Sequence, residues 1–333
     1  MAGAPGRRAR PTVIGRDDEE AAVPDRETGS GAETARNAGA AGWTAGWTAD
    51  WTADWTALPG ERFALGEGLR RVGGRTVMVD ILSGRLLELP ADLASPPTVL
   101  LGLDGPLGAV APLAGGGWLA ATGTGIAVLR PGQDPEWLAR PDDGRSPAMR
   151  MNDGCADPHG RFWAGSMAWD AVDGAGTLYR VDPDGTVSRV LDGLTIPNGP
   201  AFTADGATMY LADSARGVIY RYPVDPATGA LGERAEFARV GSGSPDGMTV
   251  DGEGHLWSAV WGGAEVRRYA PDGRLDRVLP VPAAQPTSVC LAGDRLVVTS
   301  ASTGLAAPGP LDGAVLHTSA PVTGVPAATA VLR

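Results

Sequence analysis

Four short segments of the sequence combine acidic, amide and guanidinium side chains with glycine. They are LGEG (residues 65–68), RMNDGCADPHGRFWAGSM (150–167), IPNGPAF (196–202) and SPDGMTVD (244–251). Carboxylate and amide oxygens are the ligands that Ca²⁺, Mg²⁺ and Mn²⁺ take in proteins, and an arginine fork binds carboxylate oxygens. A single NDG or PDG is also a common turn sequence. Whether these side chains do chemistry therefore depends on a fold that brings them together.

The composition excludes several other chemistries. All 28 Lys+Arg positions are arginine, which removes Schiff-base aldolases, pyridoxal phosphate enzymes, P-loop nucleotidases and protein kinases, because each depends on a lysine amine. His159, His255 and His317 lie far apart, and Cys155 and Cys290 form no CxxC pair. A histidine or thiolate metal site and a disulfide framework are therefore not expected. No GxSxG motif occurs, which disfavours a serine nucleophile.

Charge and hydropathy bear on partners and location. The formal net charge is −11 and no basic run is longer than two residues, which argues against nucleic acid because phosphates need a cationic face. No apolar run is long enough to cross a bilayer, and the N-terminus lacks the apolar stretch of a secretory signal. We therefore expect a cytoplasmic protein without a membrane or nucleic-acid partner, and the sequence gives no indication of its oligomeric state.

The elements that must position the four segments follow from a repeat. A Gly or Asp turn leading into a short apolar strand occurs six times, as GGRTVMVD, GGGWLAAT, PHGRFWAGS, ADGATMYLAD, GEGHLWSAV and AGDRLVVTS. Each is followed by a second turn and strand: SGRLLEL, GTGIAVLR, AGTLYRV, RGVIYRY, GAEVRRY and DGAVLHT. Six hairpins at a near-constant step predict an all-β, six-bladed β-propeller, in which polar residues at strand entrances converge on the central channel. A β-sandwich is the alternative, but it would need no sixfold period.

The repeat also divides the chain into two regions. Residues 1–58 are rich in Ala, Gly and charged residues and end in the tandem tetrapeptide GWTAGWTADWTADWTA. Such a composition predicts a disordered low-complexity tail. Residues 59–333 are predicted to form the propeller, with the ERFAL strand (61–65) completing the last blade and joining the chain ends.

The four polar segments, in this order, resemble the signature of the SMP-30/gluconolactonase/regucalcin family. The similarity covers roughly residues 61–328 and includes PTSV and VVTSAS in the last predicted blade and VTGVPA near the C-terminus. One such motif means little, but all four together are specific. The resemblance implies a six-bladed propeller and a metal-dependent lactonase.

The resemblance further implies that Glu67, Asn198 and Asp246 hold one divalent cation. Ca²⁺ is the first expectation, with Zn²⁺, Mg²⁺, Mn²⁺ or Fe²⁺ as alternatives. Two carboxylates and one amide leave coordination positions open for water and substrate. The alternative from the residues alone is that PNG and PDG form turns and that Glu67 is an exposed carboxylate beside a strand.

By the same resemblance, Arg150 and Asn152 match a substrate-contacting pair, and alternate residues of a strand face the same side. The alternative is an ion pair of Arg150 with Asp153 or Asp157. Asp170, which follows Asn152 by eighteen residues, stands where some relatives place a substrate-contacting glutamate, although its side chain is shorter. Three tryptophans are expected to be blade core or channel lining: Trp163, Trp257 and Trp261.

The function implied is hydrolysis of a small-molecule sugar lactone. The cation would polarise the carbonyl, and Asp246 would assist the attack of water, act only as a ligand, or attack the substrate itself. One alternative keeps the fold and metal but takes an organophosphate, a nucleotide sugar or an aromatic ester. Another is a non-catalytic propeller that binds peptides or buffers Ca²⁺.

Overall fold

Six four-stranded antiparallel sheets form a closed ring, which confirms the predicted six-bladed β-propeller. The computed structural model describes residues 53–333. The inner strand of each sheet lies beside the inner strand of the next, and the sixth sheet returns to the first. We number the sheets as blades 1 to 6 in chain order.

The first strand of the chain, β1 (Thr56–Ala57), belongs to blade 6. Blade 1 consists of β2 (Gly66–Val72), β3 (Arg75–Asp80), β4 (Arg85–Leu89) and β5 (Thr98–Gly102). Blade 2 consists of β6 (Leu107–Pro112), β7 (Trp118–Thr122), β8 (Gly125–Leu129) and β9 (Glu136–Ala139). Blade 3 consists of β10 (Met149–Ala156), β11 (Phe162–Ala168), β12 (Gly176–Val181) and β13 (Val187–Leu194).

Blade 4 consists of β14 (Pro197–Phe202), β15 (Thr208–Asp213), β16 (Val218–Pro223) and β17 (Ala235–Arg239). Blade 5 consists of β18 (Ser244–Val250), β19 (Leu256–Trp261), β20 (Glu265–Tyr269) and β21 (Leu275–Pro280). Blade 6 joins β22 (Pro286–Ala292), β23 (Arg295–Ser300) and β24 (Val315–Ser319) to β1. Between residues 53 and 333 the one helical element is a 3-10 turn, η1 (Ser214–Arg216), and no helix there is long and apolar enough to span a membrane.

The repeated sequence units form the middle of each blade. The six turn-strand units correspond to the second strand of each blade: β3, β7, β11, β15, β19 and β23. The units that follow them correspond to the third strands: β4, β8, β12, β16, β20 and β24. The first strands, which carry the polar segments, are the innermost ones: β2, β6, β10, β14, β18 and β22. The sixfold period therefore predicted the hairpins directly, and the inner strands are formed by strand-like residues that precede each hairpin.

An aspartate turn shapes two of the blades in the same way. Asp157 accepts hydrogen bonds from the backbone N–H groups of His159 and Arg161 and from the indole N–H of Trp163. Asp251 accepts the corresponding bonds in blade 5. These fully buried carboxylates anchor a tryptophan in the core of each blade, so their role is structural.

The closure of the ring differs from the prediction. The strand that completes blade 6 is β1, which pairs with β24, whereas residues 61–65 form no strand there and contribute the isolated bridge of Leu65 with Ala301 and loop hydrogen bonds of Phe63 and Ala64. The Trp55 indole donates to the Pro280 carbonyl (2.7 Å) and the ring packs against the core shared by blades 5 and 6. Residues 53–58 of the predicted tail thus belong to the propeller, and residues 1–52 lie outside the described residues.

Residues near the C-terminus cross the end of the channel where the inner strands finish. The N–H of Val325 donates to the carbonyl of Val250, and the N–H of Ala327 donates to the carbonyl of Arg71. Farther along the chain, the N–H of Ala330 donates to the carbonyl of Pro112 in blade 2, and the N–H of Val331 donates to the carbonyl of Gly160 in blade 3. This segment covers one end of the channel and leaves the strand entrances at the other end for the site.

Candidate active site

One cavity lies where four inner strands begin. Its volume is about 330 Å³. Five of the six candidate residues line it: Glu67, Arg150, Asn152, Asn198 and Asp246. They lie on β2, β10, β14 and β18, so the propeller brings together side chains that are far apart in the sequence.

Four of these side chains stand at β-bulges. In blades 1, 3, 4 and 5, two residues of the inner strand oppose a single residue of the second strand. Glu67 and Asn198 directly precede their bulges, and Asn152 and Asp246 lie within theirs. A bulge bends a strand and redirects its side chains. The PNG and PDG sequences are therefore inside β14 and β18, and the alternative that they form turns is wrong.

Glycine is required where the bulged strands approach each other. Gly199 has a φ of +52°, a conformation that L side chains rarely adopt. A Cβ atom at this position would lie 2.8 Å from the backbone nitrogen of Met248 and 3.0 Å from the carbonyl oxygen of Asp246. The glycine after Asn198 therefore lets β14 pack directly against the bulge that carries Asp246.

Glu67 and Asp246 are buried carboxylates with little hydrogen bonding to offset the cost of burying their charge. Among the described residues, the one hydrogen bond to the Glu67 carboxylate comes from the adjacent N–H of Gly68 (3.3 Å), and that to Asp246 comes from Gly247 (3.0 Å). Burial raises the pKa of Glu67 well above its ordinary value, and the negative charges of Asp246 and Asp153 raise it further. Burial, followed by the charge of Asp153, also raises the pKa of Asp246. Because Glu67 is buried, the alternative that it is an exposed carboxylate beside a strand is wrong.

This donor set fits an oxygen-seeking divalent cation. Within residues 53–333 neither Glu67 nor Asp246 forms an ion pair, so each carboxylate keeps oxygen lone pairs free beside the cavity that both residues line. The Asn198 side-chain oxygen accepts one hydrogen bond, from Asn152, and keeps a second lone pair. Two carboxylates that repel each other in a buried cavity are stabilised by a cation between them.

A chain of hydrogen bonds connects the polar side chains across three blades. Arg150 Nη1 donates to Asn152 Oδ1 (2.7 Å), and Asn152 Nδ2 donates to Asn198 Oδ1 (2.8 Å). Asn198 Nδ2 donates to Ser214 Oγ (2.9 Å), whose hydroxyl donates to the carbonyl of Pro245 (2.6 Å). We call Arg150, Asn152, Asn198 and Ser214 the hydrogen-bond relay. The sequence alone does not reveal Ser214, because a serine after a strand carries no distinctive pattern.

Arg150 is a buried guanidinium without a carboxylate partner in the described part of the chain. Burial lowers its pKa, although the charges of Glu67 and Asp246 oppose this. Its guanidinium carbon lies 5.4 Å from the ring centroid of the half-exposed Trp169. The alternative in which Arg150 pairs with Asp153 or Asp157 is wrong, because those carboxylates pair with Arg70 and Arg161.

Arg70 and Asp153 form an ion pair behind the site. Arg70 Nη2 lies 3.0 Å from Asp153 Oδ1 and also donates to the carbonyl of Gly154. The second oxygen of Asp153 accepts the N–H of Gly199 (2.9 Å), which ties blade 3 to the bulge of blade 4. Asp153 therefore supports the strands that carry the site and does not itself face the cavity.

The remaining candidates occupy different places. Asp170 is exposed after β11 and does not line the cavity, so its role as a substrate contact stays a prediction. Trp163 and Trp257 are fully buried in the blades, whereas Trp261 lines the cavity. Of the three tryptophans, one therefore has access to a ligand.

A second cluster of ligand-type atoms lies in blade 5. Carboxylate and imidazole atoms of Asp251, Glu253 and His255 lie within 4.8 Å of one another. The Arg268 guanidinium, however, contacts Asp251 at 2.7 Å and Glu253 at 2.6 Å. A permanent cation thus already pairs with both carboxylates of this cluster, and the channel cavity fits a metal better.

The chain matches known proteins over the same region. The family model described as SMP-30/Gluconolactonase/LRE-like region matches residues 65–302. A pentonolactonase of Haloferax volcanii is 43% identical over 157 residues, 46% of this chain and 53% of that protein. A 6-deoxy-6-sulfogluconolactonase of Pseudomonas putida is 38% identical over 222 residues, 65% of this chain and 75% of that protein. The match thus spans about half the length of the first relative and three quarters of the second.

A solved structure extends the similarity to the fold. The calcium-binding protein regucalcin from Agrobacterium tumefaciens has a TM-score of 0.77 to this chain at 30% sequence identity. The alignment covers 84% of this chain and 98% of that chain. The whole propeller, and not only the polar segments, therefore has a counterpart in that structure.

Proposed function

Since this chain belongs to the SMP-30/gluconolactonase/LRE-like family, we propose that it is a metal-dependent hydrolase that opens a sugar lactone. The observation that carries the proposal is one cavity lined by two amides and by two carboxylates and a guanidinium that form no ion pair with any described residue. The relatives named as a pentonolactonase and a 6-deoxy-6-sulfogluconolactonase support this reaction class.

Glu67, Asn198 and Asp246 would hold the cation, with Ca²⁺ first and Zn²⁺, Mg²⁺, Mn²⁺ or Fe²⁺ as alternatives. When bound, a divalent cation supplies a Lewis acid that polarises the lactone carbonyl. The all-oxygen donor set favours a hard cation over one that prefers thiolate or imidazole.

Asp246 would assist the attack of water. One of its oxygens accepts the N–H of Gly247, which fixes the carboxylate, and the residue lines the cavity. A carboxylate fixed in this way accepts a proton from the attacking water. Opening of the ring ester then produces one carboxylate and one hydroxyl in a single product.

Arg150 and Asn152 would orient the substrate. In the described part of the chain, Arg150 donates only from Nη1, to Asn152 and to the carbonyl of Met151, so its other N–H donors are free. A guanidinium and an amide bind hydroxyl and carboxylate oxygens of a sugar acid, whereas an apolar substrate would leave them unpaired in a buried cavity. This donor arrangement favours a polyhydroxylated lactone over an alkyl ester.

The test is hydrolysis of a lactone panel by the chelated protein after addition of single metals. We expect ring opening to disappear on chelation, to return with one metal, and to be absent in Asp246→Ala at every metal concentration. A panel of aryl esters and an organophosphate separates the alternative substrates. Hydrolysis that persists unchanged after complete metal removal would contradict the proposal.

A second candidate is calcium binding without catalysis. It is favoured by the structural match to a protein described as calcium-binding. Tight Ca²⁺ binding without turnover of any lactone or ester in the same panel would support it over hydrolysis.

A further inference from the structure

The polarity of the hydrogen-bond relay is fixed by backbone carbonyls. A carbonyl oxygen only accepts, so the Ser214 hydroxyl must donate its one proton to the Pro245 carbonyl. The oxygen of Ser214 is then an acceptor toward Asn198. Asn198 must therefore present its NH₂ group to Ser214, which turns its side-chain oxygen the other way.

The same reasoning orients the neighbouring amide. Asn152 donates to the carbonyl of Pro197 (3.0 Å), so its NH₂ group faces blade 4 and its oxygen faces Arg150. That NH₂ group also donates to Asn198 Oδ1. Both neighbours of Asn198 thus require the same orientation, with Oδ1 on the side of Asn152 and Nδ2 on the side of Ser214.

We propose that Ser214 is a positioning residue that holds the Asn198 amide with its oxygen toward the cation and its NH₂ group away from it. This inference rests on the proposed metal site. A flipped amide would direct N–H donors at a divalent cation, and such an amide is not a ligand.

The place of Ser214 in the fold suits this role. It is the buried first residue of η1, directly after β15, and it lines the cavity beside Asn198. Its acceptor, Pro245, immediately precedes Asp246 in β18. One hydroxyl therefore links a ligand on blade 4 to the strand that carries a ligand on blade 5.

The experiment measures Ca²⁺ binding to the chelated protein by isothermal titration calorimetry. Removing a residue that orients a metal ligand typically weakens metal affinity by about tenfold to a hundredfold, and we expect a loss of this size in Ser214→Ala. Ser214→Thr keeps the hydroxyl and should restore most of the affinity. Ser258→Ala is the matched control, because Ser258 is also buried and donates to a carbonyl, that of Ala259, outside the relay.

A double-mutant cycle separates orientation from a general structural effect. A carboxylate presents an oxygen on both sides, so Asn198→Asp has no wrong orientation. Ser214→Ala should therefore change Ca²⁺ affinity by less than about threefold in the Asn198→Asp background, whereas a structural defect would carry over in full.

The outcomes keep this inference apart from the proposed function. If the wild type binds none of the candidate metals, both the metal site and the positioning role of Ser214 are refuted. If the wild type binds Ca²⁺ and Ser214→Ala binds it equally well, the proposed function stands and the positioning role is overturned. Equal losses with Asn and with Asp at position 198 would also overturn it, as would a loss that Ser214→Thr does not restore.

Discussion

Breaking the ion pair behind the site should be costly to the fold. The side chains of Arg70 and Asp153 are 10% and 3% exposed, and their atoms lie 3.0 Å apart. Arg70 also donates to the carbonyls of Leu69 (2.8 Å) and Gly154 (3.0 Å). The substitution Arg70→Met keeps an unbranched apolar stem while it removes the charge and all three hydrogen bonds.

The size of the effect follows from what remains around Asp153. Removing one partner of a buried ion pair typically costs about 3–5 kcal/mol, because the other charge is left uncompensated. Asp153 keeps the N–H groups of Gly154 and Gly199 as donors, so we expect a loss near 3 kcal/mol. The control is Arg75→Met, whose partner is Glu88 and whose side chain is 52% exposed. An exposed pair of that kind is worth at most about 1 kcal/mol.

Equilibrium urea unfolding of the chelated proteins measures both losses. The double variant Arg70→Met/Asp153→Asn should recover more than half of the stability, since no buried charge is then uncompensated. If Arg70→Met cost no more than Arg75→Met, or if the double variant were less stable than Arg70→Met alone, the reasoning from buried charge would be refuted.

The same substitution, Arg70→Met, should increase the metal affinity of the site although it lowers the stability of the fold. Asp153 is a negative charge that raises the pKa of both Glu67 and Asp246, after burial. Without Arg70 that charge is uncompensated, which favours a cation in the cavity. We therefore expect Arg70→Met to bind Ca²⁺ more tightly while its free energy of unfolding falls. Weaker binding would show that Arg70 instead holds the ligands in place.

The remaining predictions concern the metal, the closing strand and the substrate. Chelation should lower the melting temperature of the wild type and leave Asp246→Ala nearly unchanged, since bound metal stabilises by mass action; an equal response by scanning fluorimetry removes Asp246 from the ligand set. Deleting residues 1–58, which removes β1 and Trp55, should lower the melting temperature by at least a few degrees relative to deleting residues 1–52; equal values contradict the closing role of β1. In steady-state assays Arg150→Ala should lower kcat/KM about tenfold to a hundredfold for hydroxylated sugar lactones and less for a lactone without hydroxyls. Trp169→Ala should repeat this pattern through Arg150, and equal losses on both lactones would instead indicate transition-state stabilisation.

The propeller could be predicted from sequence because each blade contains the same local signal. A Gly or Asp turn between two apolar strands is decided by neighbouring residues, and it recurs six times. The closing strand lacks such a signal. Thr56 and Ala57 belong to a tandem repeat whose composition suggests disorder, and only the long-range pairing with β24 and the packing of Trp55 make them part of the fold.

The site was predicted less completely than the fold, for a related reason. The four polar segments identified five of the residues that line the cavity, since their motifs are local. The partners that set their orientation are not local: Ser214 reaches Pro245 across blades, and Arg70 reaches Asp153 from blade 1 to blade 3. Such pairings follow from the closed ring, and no spacing within one segment encodes them.

The bulges explain how one repeated scaffold carries a single reactive centre. All six inner strands have a register shift near the same level, including β6 around Gly108 and β22 around Thr287. A Cβ atom on Gly108 would lie 2.3 Å from the carbonyl oxygen of Asn152, so close approach of inner strands is itself a requirement of the ring. The bulge is therefore a property of the fold, and the chemistry depends on which side chain stands beside it. Glu67 and Asp246 supply charge at two of these positions, whereas blades 2 and 6 offer no ionisable group there. A functional site of this kind arises by substitution at positions that the scaffold already directs inward.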